Sequence, residues 1–188
     1  AIANGVDVGF FDPAKVRPRE KKAPTIVFVG VMDYWPNVDA VTWFANEILP
    51  LVRRRYPDAR FQIVGAKPAA SVLALKALSG VEVTGSVDDV RPYVAAADVV
   101  VAPLRIARGI QNKVLEGMAM ARPVVASSAA LEGLDLPMEH RRGGDTAEDF
   151  ASAVLSLLRS PEERKKLGTM GRTWVHENHD WARTLRPV

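Results

Sequence analysis

Four residues that are close together in the chain, Arg108, Gly109, Lys113 and Glu116, are suited to binding an anion that also carries hydroxyl groups. Two of them are cations. A glycine followed by a helix start offers free backbone N–H groups at the positive end of a helix dipole, which suits a phosphate. Glu116 follows Lys113 by three residues on the same predicted helix, so both can face one crevice. A carboxylate there can accept hydrogen bonds from two neighbouring hydroxyls, as a ribose presents them.

Each of these residues also has a simpler interpretation. Arg108 could be a solvated loop charge, and Lys113 with Glu116 could be an ordinary ion pair on a helix surface. The stretch GMAMARPVVA that follows Glu116 is rich in small residues, which is typical of close burial. A carboxylate beside such a stretch favours a functional role.

These residues lie in a segment with the pattern strand, loop, helix, strand. Residues 99–104 are an almost unbroken apolar run, residues 111–120 are predicted to be helical, and residues 123–126 are again apolar. Two short strands joined by a helix form a βαβ unit. Its loop lies at the carboxyl end of the first strand, where open α/β sheets bind their ligands.

The rest of the chain repeats this alternation of strands and helices. Apolar runs predict strands at 25–30, 60–65 and 81–84, and period and caps predict helices at about 37–56, 69–78, 90–97, 146–158, 161–167 and 172–178. The predicted N-caps are Asn37 for the first helix, Asp145 or Thr146 for the helix that ends near 158, and Ser160 for the helix at 161–167. Residues 137–144 are predicted as an edge strand and a turn.

At least five alternations of strand and helix predict an α/β fold, a Rossmann-like, doubly wound parallel sheet with helices on both faces. Residues 1–24 show no sustained period and contain three prolines, so we predict a linker and loop there and one domain over 25–188.

Composition excludes several classes of protein. The 188 residues carry a net charge of +3, which is well below the charge density of a dedicated nucleic-acid binder. There is no cysteine, hence no disulfide, thiol nucleophile or cysteine metal site, and the three histidines show no metal-ligand spacing. No apolar run reaches the roughly 18 residues of a membrane span. We therefore expect no metal, no nucleic-acid partner and no membrane-spanning segment.

The string GIQNKVLEGMA at 109–119, with RPVVA at 122–126, resembles the donor-site segment of GT-B fold glycosyltransferases of the large retaining family four. The resemblance implies a nucleotide-sugar-binding site that includes Gly109, Ile110, Gln111 and Glu116, with Glu116 on the nucleotide ribose. That family has a second glutamate, near the donor sugar, where this chain has Arg108. One hypothesis is a donor with an acidic group, which equal competition by acidic and neutral nucleotide sugars would contradict.

Two other turns resemble parts of the same site. Gly30 ends the first strand, and the following loop resembles a subset of the family that reads G-x-M-x-Y-x-P-N-x-D-A and lacks the usual arginine and lysine on the diphosphate. Backbone amides, or Arg108 and Lys113, would take over that role. Ser86 and Val87 match the positions whose backbone pairs with the nucleotide base.

The resemblance implies one half of a retaining, hexosyltransferase-type glycosyltransferase. The donor is a nucleoside diphosphate sugar, no other cofactor is needed, and Arg108 and Lys113 stabilise the leaving diphosphate. The segment NGVD at 4–7 resembles the joint between the two halves, so the chain is predicted to be the C-terminal half of a longer protein. The missing N-terminal domain would hold a glycan or lipid-linked saccharide acceptor, and the isolated domain would be inactive. We expect a cytoplasmic protein with possible peripheral contact to the inner face of the membrane.

Three alternatives remain to be compared. A nucleotide-binding module without transferase activity would share the site but not turn over the donor. An NAD-type dehydrogenase needs a G-x-G-x-x-G turn after the first strand, where this chain has Gly30 alone. A receiver-like signalling domain needs an acidic cluster near the first strand, and Asp33 has no acidic neighbours there.

Overall fold

The structure is a computed structural model that describes residues 5–184. It confirms the predicted Rossmann-like fold, with one five-stranded parallel sheet and helices on both faces. Asn4 of the predicted joining segment and residues 185–188 at the end of the predicted domain lie outside the described residues.

All neighbouring strands of the sheet run parallel, in the order β3-β2-β1-β4-β5. The strands are β1 (Thr25–Val29), β2 (Arg60–Val64), β3 (Val81–Gly85), β4 (Val99–Ala102) and β5 (Val124–Ala126). The chain builds outward from β1 to β3 and then returns to the other side of β1 to add β4. The loops after β1 and β4 therefore diverge to opposite faces, which opens a crevice at the carboxyl ends of these two strands.

Helices connect the strands and cover the sheet. They are α1 (Trp35–Trp43), α2 (Leu49–Arg55), α3 (Ala70–Ala74), α4 (Arg91–Ala96), α5 (Asn112–Ala119), α6 (Ser128–Leu131), α7 (Ala147–Arg159), α8 (Pro161–Asn178) and α9 (Trp181–Thr184). A π-helical turn at Phe44–Ile48 joins α1 to α2 in one continuous helical stretch. Pro50 follows this turn and has no N–H to donate, so the wider turn lies where the regular hydrogen-bond pattern would fail.

An aromatic cluster anchors the helices to the sheet. The ring centroids of Phe44 and Phe61 are 4.3 Å apart, and Phe150 packs edge-on to Phe44 with its centroid at 6.0 Å. All three side chains are fully buried. Because they come from the π-helical turn, β2 and α7, this cluster fixes three distant segments of the chain against each other.

The prediction of two helices at 161–167 and 172–178 was wrong, since α8 is continuous. Gly168 and Gly171 resemble a break in the sequence, but Gly171 faces α5 and Gly168 faces the turn that follows α5. A Cβ at Gly168 would overlap the Ala121 carbonyl oxygen, and a Cβ at Gly171 would lie 3.1 Å from the Met118 Cγ. The glycines therefore permit close packing of two helices.

Two further local predictions were wrong. Asn37 is not the N-cap of α1, because the helix begins two residues earlier with Tyr34 as N-cap and Pro36 in the first turn, where proline is well tolerated. Residues 137–144 contain a 3-10 helix, Met138–His140, where an edge strand was expected. The predicted capping by Ser160 is confirmed, and of the two candidates Asp145 and Thr146 the structure has Thr146 as the cap. The Thr146 and Ser160 hydroxyls accept from the Asp149 and Glu163 N–H groups.

The segment before β1 lies against the domain. It contains a single 3-10 helix, Pro13–Lys15, among residues 5–24. Val6 and Val8 are buried in the core, and Val6 forms a β-bridge with Asp180. The stretch predicted as linker therefore contributes to packing and brings Phe11 toward the crevice.

Candidate functional site

A cleft of about 580 Å³ opens at the carboxyl ends of β1, β2 and β3 and beside the first two turns of α5. It therefore occupies the crevice that the strand order creates. Three groups of residues line it, from the strand ends and following turns, from α5 and from the N-terminal segment: Val29, Gly30, Val31, Asn37, Gly65, Ala66, Ser86, Val87, Val90; Asn112, Lys113, Glu116; and Phe11.

Lys113 and Glu116 both line this cleft from the same face of α5. Burial lowers the pKa of the Lys113 ammonium below its ordinary value, and the carboxylate of Glu116 partly opposes this shift. Burial likewise raises the pKa of Glu116, and the charge of Lys113 partly opposes it. Within the described residues neither head group has a hydrogen-bond or salt-bridge partner. Two partly buried charges of opposite sign, neither with a hydrogen-bond or salt-bridge partner among the described residues, therefore face one cleft, as expected where a ligand supplies the missing contacts.

The ring of Phe28 supports the lysine. Phe28 is fully buried in β1, and the Lys113 Nζ lies 5.4 Å from the centre of its ring. A cation over an aromatic face is attracted by the ring quadrupole, by about 0.5–1 kcal/mol or more as water is removed. This contact holds the ammonium at the cleft wall without using any of its hydrogen-bond donors.

The start of α5 is not capped. Its N-cap residue, Gln111, makes no side-chain cap hydrogen bond, and the first turn holds no acidic residue. The Gln111 amide instead donates to the carbonyl oxygens of Arg108 and Gly109, and Gly109 has a left-handed φ of +67°. The loop thus closes on itself through its carbonyl groups, and the first N–H groups of α5 remain available to an anion.

Backbone forms part of the cleft floor. Gly65 has a φ of +148°, and a Cβ there would overlap the Gly30 carbonyl oxygen. A Cβ at Gly30 would lie 2.7 Å from the Asn37 Nδ2. The Met32 N–H donates to the Ala66 carbonyl at 2.8 Å and holds the two turns together. Glycine directly after each strand therefore lets the two turns and Asn37 pack closely against each other.

The structure brings together five of the nine predicted site residues. Gly30, Ser86, Val87, Lys113 and Glu116 line the cleft. The first comes from the end of β1 and the next two follow β3, so segments more than fifty residues apart meet there.

The remaining predicted residues lie in the loop before α5 and do not line the cleft: Arg108, Gly109, Ile110 and Gln111. Arg108 and Gly109 are exposed, and Ile110 packs near Gly133, where a Cβ would lie 3.6 Å from the Ile110 Cγ1. Their assignment to donor binding, like that of the five cleft residues, stays a prediction.

Sequence reasoning missed several cleft residues, including Phe11, Asn37, Gly65 and Asn112. Asn37 was interpreted as a helix cap and Phe11 as part of a linker. Gly65 had the available signal, because it ends a predicted strand as Gly30 does. The position of Phe11 depends on tertiary packing and had no local signal.

A tether joins the loop after β4 to α1. The Arg105 guanidinium donates to both carboxylate oxygens of Asp39, at 3.0 Å from Nε and 2.5 Å from Nη2, and lies over the Trp43 ring with Cζ 5.4 Å from its centre. The carboxylate raises the pKa of Arg105 above its ordinary value. A bidentate pair of this kind fixes direction as well as distance. It therefore anchors the loop that leads to Arg108.

Two kinds of feature are absent from residues 5–184. No group of three or more histidine, aspartate or glutamate side chains is arranged to hold a metal ion there. None of the helices in that range combines the length and the apolar character required to cross a bilayer. Among the described residues that line the cleft, the charged ones are Lys113 and Glu116.

The sequence of most of the domain matches one known family. A family model described as Glycosyl transferases group 1 matches residues 23–160, which include all five strands and the cleft residues of α5. This chain belongs to that family. The resemblance seen in the segment around Glu116 therefore extends over most of this chain.

Two curated relatives are similar to this chain over almost its whole length. One is the phosphatidyl-myo-inositol mannosyltransferase of Propionibacterium freudenreichii subsp. shermanii, 28% identical over 96% of this chain and 47% of its own length. The other is the GDP-mannose-dependent alpha-(1-6)-phosphatidylinositol monomannoside mannosyltransferase of Mycolicibacterium smegmatis, 28% identical over 94% of this chain and 51% of its own. The chain thus spans about half the length of these relatives.

Solved structures share the fold. A glycosyltransferase from Rickettsia africae superimposes with a TM-score of 0.76 at 18% identity. The match covers 98% of this chain and 54% of the Rickettsia chain. Anabaena Alr3699/HepE, solved with UDP and glucose, gives a TM-score of 0.73 at 13% identity, covering 97% and 53%. At these identities the likeness shows the GT-B Rossmann-like fold alone.

Proposed function

We propose that this chain is the donor-binding domain of a glycosyltransferase that binds a nucleoside diphosphate sugar. The observation that carries the proposal is that Lys113 and Glu116 face one cleft at the switch point of a parallel sheet. Both are partly buried, and neither has a hydrogen-bond or salt-bridge partner among the described residues. A cation suits the diphosphate and a carboxylate suits the ribose hydroxyls. Support also comes from the relatives, one of which is named as GDP-mannose-dependent, and from the fold shared with a protein solved with UDP.

The order of strands suggests how the donor would lie. Ser86 and Val87 follow β3 at one side of the sheet, whereas Lys113 and Glu116 are on the helix after β4. A base held by the backbone of the β3 turn would place the ribose and the diphosphate toward α5. The donor would therefore cross the carboxyl edge of the sheet, over the glycine floor at Gly30.

The chemistry we propose for this domain is stabilisation of the leaving diphosphate. Negative charge accumulates on the diphosphate as the bond to the sugar breaks. Lys113 and the free N–H groups of α5 would stabilise that charge in a partly dehydrated site, where such contacts are strong. Arg108 would add a second cation, although it lies outside the cleft in this structure. Glu116 is the one carboxylate among the described residues that line the cleft, and we assign it to the ribose rather than to nucleophilic attack.

The remaining features of the proposed enzyme concern the longer protein. We propose that the domain is the C-terminal half of a retaining, hexosyltransferase-type enzyme whose N-terminal domain holds a glycan or lipid-linked saccharide, and that the isolated domain does not turn over its donor. A cytoplasmic location with peripheral contact at the inner membrane face fits the phosphatidylinositol substrates in the names of the relatives.

Calorimetric titration of the 188-residue chain with UDP, GDP, UDP-glucose and GDP-mannose tests the proposal. At least one nucleotide should bind. Glu116→Ala should lower its affinity by about 10- to 100-fold, the range for losing hydrogen bonds to a charged group. Lys113→Ala should weaken the binding of nucleoside diphosphates more than the binding of the free nucleoside. Arg108→Ala should weaken diphosphate binding less than Lys113→Ala does. The exposed Glu177 and Lys76 lie outside the cleft, so Glu177→Ala and Lys76→Ala are matched controls. Nucleotide binding unaffected by Glu116→Ala would place the site elsewhere.

A second candidate is a nucleotide-binding module without transferase activity. It is favoured by Arg108, which replaces the glutamate expected near the donor sugar and is exposed outside the cleft. Both candidates bind nucleotide, so donor turnover by the longer protein distinguishes them. Sugar transfer or release that Lys113→Ala slows would support the enzyme, and tight binding without turnover would support the module.

A further inference from the structure

Asn37 has a buried polar atom that the fold leaves unsatisfied. The residue is only 5% exposed, on the first turn of α1 beside the cleft. Its Nδ2 donates to the Val31 carbonyl at 2.9 Å, which fixes the orientation of the amide because a carbonyl can only accept. Its Oδ1 is sealed from solvent and has no hydrogen-bond partner among the described residues. Buried acceptors without a donor are rare and require an explanation.

Lys113, which lines the same cleft, has hydrogen-bond donors without acceptors. Its ammonium carries three N–H donors, and within residues 5–184 none of them has an acceptor. The groups between the two residues are in contact. The Lys113 Nζ lies over the Phe28 ring, and the Phe28 Cε1 is 3.3 Å from the point where a Gly30 Cβ would stand. The Asn37 Cγ is 3.1 Å from that same point. Asn37 and Lys113 therefore both approach the Phe28 ring, and both line the same cleft.

We propose that Asn37 is a positioning residue for Lys113. When an anion enters the cleft, the ammonium donates one hydrogen to the Asn37 Oδ1 and the others to the anion. The proposal rests on the proposed function in one respect, that the anion is the diphosphate of a nucleotide sugar.

The chemistry and the burial of the amide oxygen favour Lys113 over other partners. Phosphate oxygens are acceptors and cannot bond to Oδ1. The Oδ1 is covered by protein atoms in this structure, so a side chain that packs nearby is favoured over a ligand group as its donor. The ammonium of Lys113 is the cation among the described cleft residues, and a lysine side chain has enough rotatable bonds to reach inward from the ring.

A double-mutant cycle measures the coupling. Calorimetry with inorganic pyrophosphate and with UDP or GDP would compare the wild-type chain with Asn37→Ala, Lys113→Ala and the double variant. Asn37→Ala should weaken binding by about tenfold on its own and have almost no effect when Lys113 is already absent. Equal effects of Asn37→Ala in both backgrounds, as general damage to the loop would give, would overturn the proposal. So would wild-type affinity in the Asn37→Ala variant.

A second measurement keeps Asn37 in place, in case Asn37→Ala does not fold. The side-chain amide ¹⁵N and ¹H resonances of Asn37 should shift when pyrophosphate is added to the wild-type chain. The shift should be absent in Lys113→Ala at anion concentrations that saturate the variant. A resonance that does not move in the wild-type chain at saturation, or that moves equally in both proteins, contradicts the pair.

The two proposals fail in different ways. Coupling seen with pyrophosphate, in a chain where no nucleoside diphosphate binds more tightly than pyrophosphate, would support the pair and contradict the proposed function. Nucleotide binding that depends on Glu116, without coupling of Asn37 to Lys113, would support the function and contradict the pair. Absence of any anion binding that depends on Lys113 would also contradict the pair.

Discussion

The N-termini of α5 and α8 are built in opposite ways. At α8, the Ser160 hydroxyl accepts from the Glu163 N–H at 3.1 Å, two glutamates occupy the first turn, and Arg142 pairs with Glu163 at 2.8 Å. At α5 there is no side-chain cap, no acidic residue in the first turn, and a lysine in its place. The first arrangement satisfies a helix dipole, whereas the second places a cation at the positive end.

Burial does not explain this difference, because the two helices pack against each other. Gly171 of α8 lies on Met118 of α5, and the Arg172 guanidinium donates to the Ala119 carbonyl near the end of α5. What differs is the surroundings of each N-terminus. The start of α8 meets Arg142 of the same domain, and the start of α5 meets an open cleft. The start of α5 combines a missing cap, a cation and an open crevice, and this combination is the basis for the anion site that we propose there.

The contact between the helices offers the largest expected effect. Gly168→Val would place side-chain atoms against the Ala121 carbonyl and should lower the free energy of unfolding by about 3 kcal/mol. The melting temperature would fall by about 6–12 °C for a chain of this size. Calorimetric melting measures it, with Thr169→Ala on the exposed face of α8 as the matched control, expected within about 0.5 kcal/mol of wild type. Equal stability of the two variants would contradict the packing described for Gly168.

The lysine at the start of α5 predicts how nucleotide binding depends on pH. Burial lowers the pKa of Lys113, and a bound anion stabilises its charged form, so binding takes up a proton once Lys113 is neutral in the free protein. The Kd should therefore rise about tenfold per pH unit above that pKa, beginning below the range of an ordinary lysine. Lys113→Arg keeps its charge, so the part of this rise that comes from the lysine should be absent from that variant over the same alkaline range. A wild-type affinity that is flat to pH 10.5 would contradict the assignment.

The cap of α8 should affect stability and not ligand binding. Ser160→Ala removes the acceptor for the Glu163 N–H and should lower the free energy of unfolding by about 1 kcal/mol. That corresponds to about 2–4 °C in melting temperature. Titration of the same variant with UDP or GDP should give the wild-type Kd, because Ser160 does not line the cleft. A changed Kd would mean that the two helix starts are energetically linked.

Adding a cap to α5 should have the converse effect. Gln111→Asp places a carboxylate at the N-cap, which should raise the free energy of unfolding by about 0.5 kcal/mol and weaken anion binding by competing for the same N–H groups. Gln111→Ala removes the loop hydrogen bonds without adding a charge and serves as the control. A loss of affinity as large in the alanine variant as in the aspartate variant would show that the loop contacts, and not the helix start, carry the effect.

The sequence determined the elements and the key pair of residues. Apolar runs such as the one in β4 predict buried parallel strands because both of their faces are covered. The caps at Thr146 and Ser160 were predictable because a cap bonds to a backbone N–H only three residues away. The same is true of Lys113 and Glu116, since a spacing of three fixes two side chains on one helical face. These features share one property, that their physical causes act within a turn or two of the chain.

Only the tertiary structure decided what those elements meet. Ser86 and Val87 share a cleft with Lys113 because the sheet places β1 and β2 between β3 and β4, and no local pattern encodes that order. Gly168 and Gly171 continue a helix instead of ending one because α5 and the turn that follows it lie against them. The Asn37 amide bonds to a carbonyl six residues earlier instead of capping α1. In each case the deciding contact joins groups outside the local pattern, so the physical cause is absent until the chain has folded.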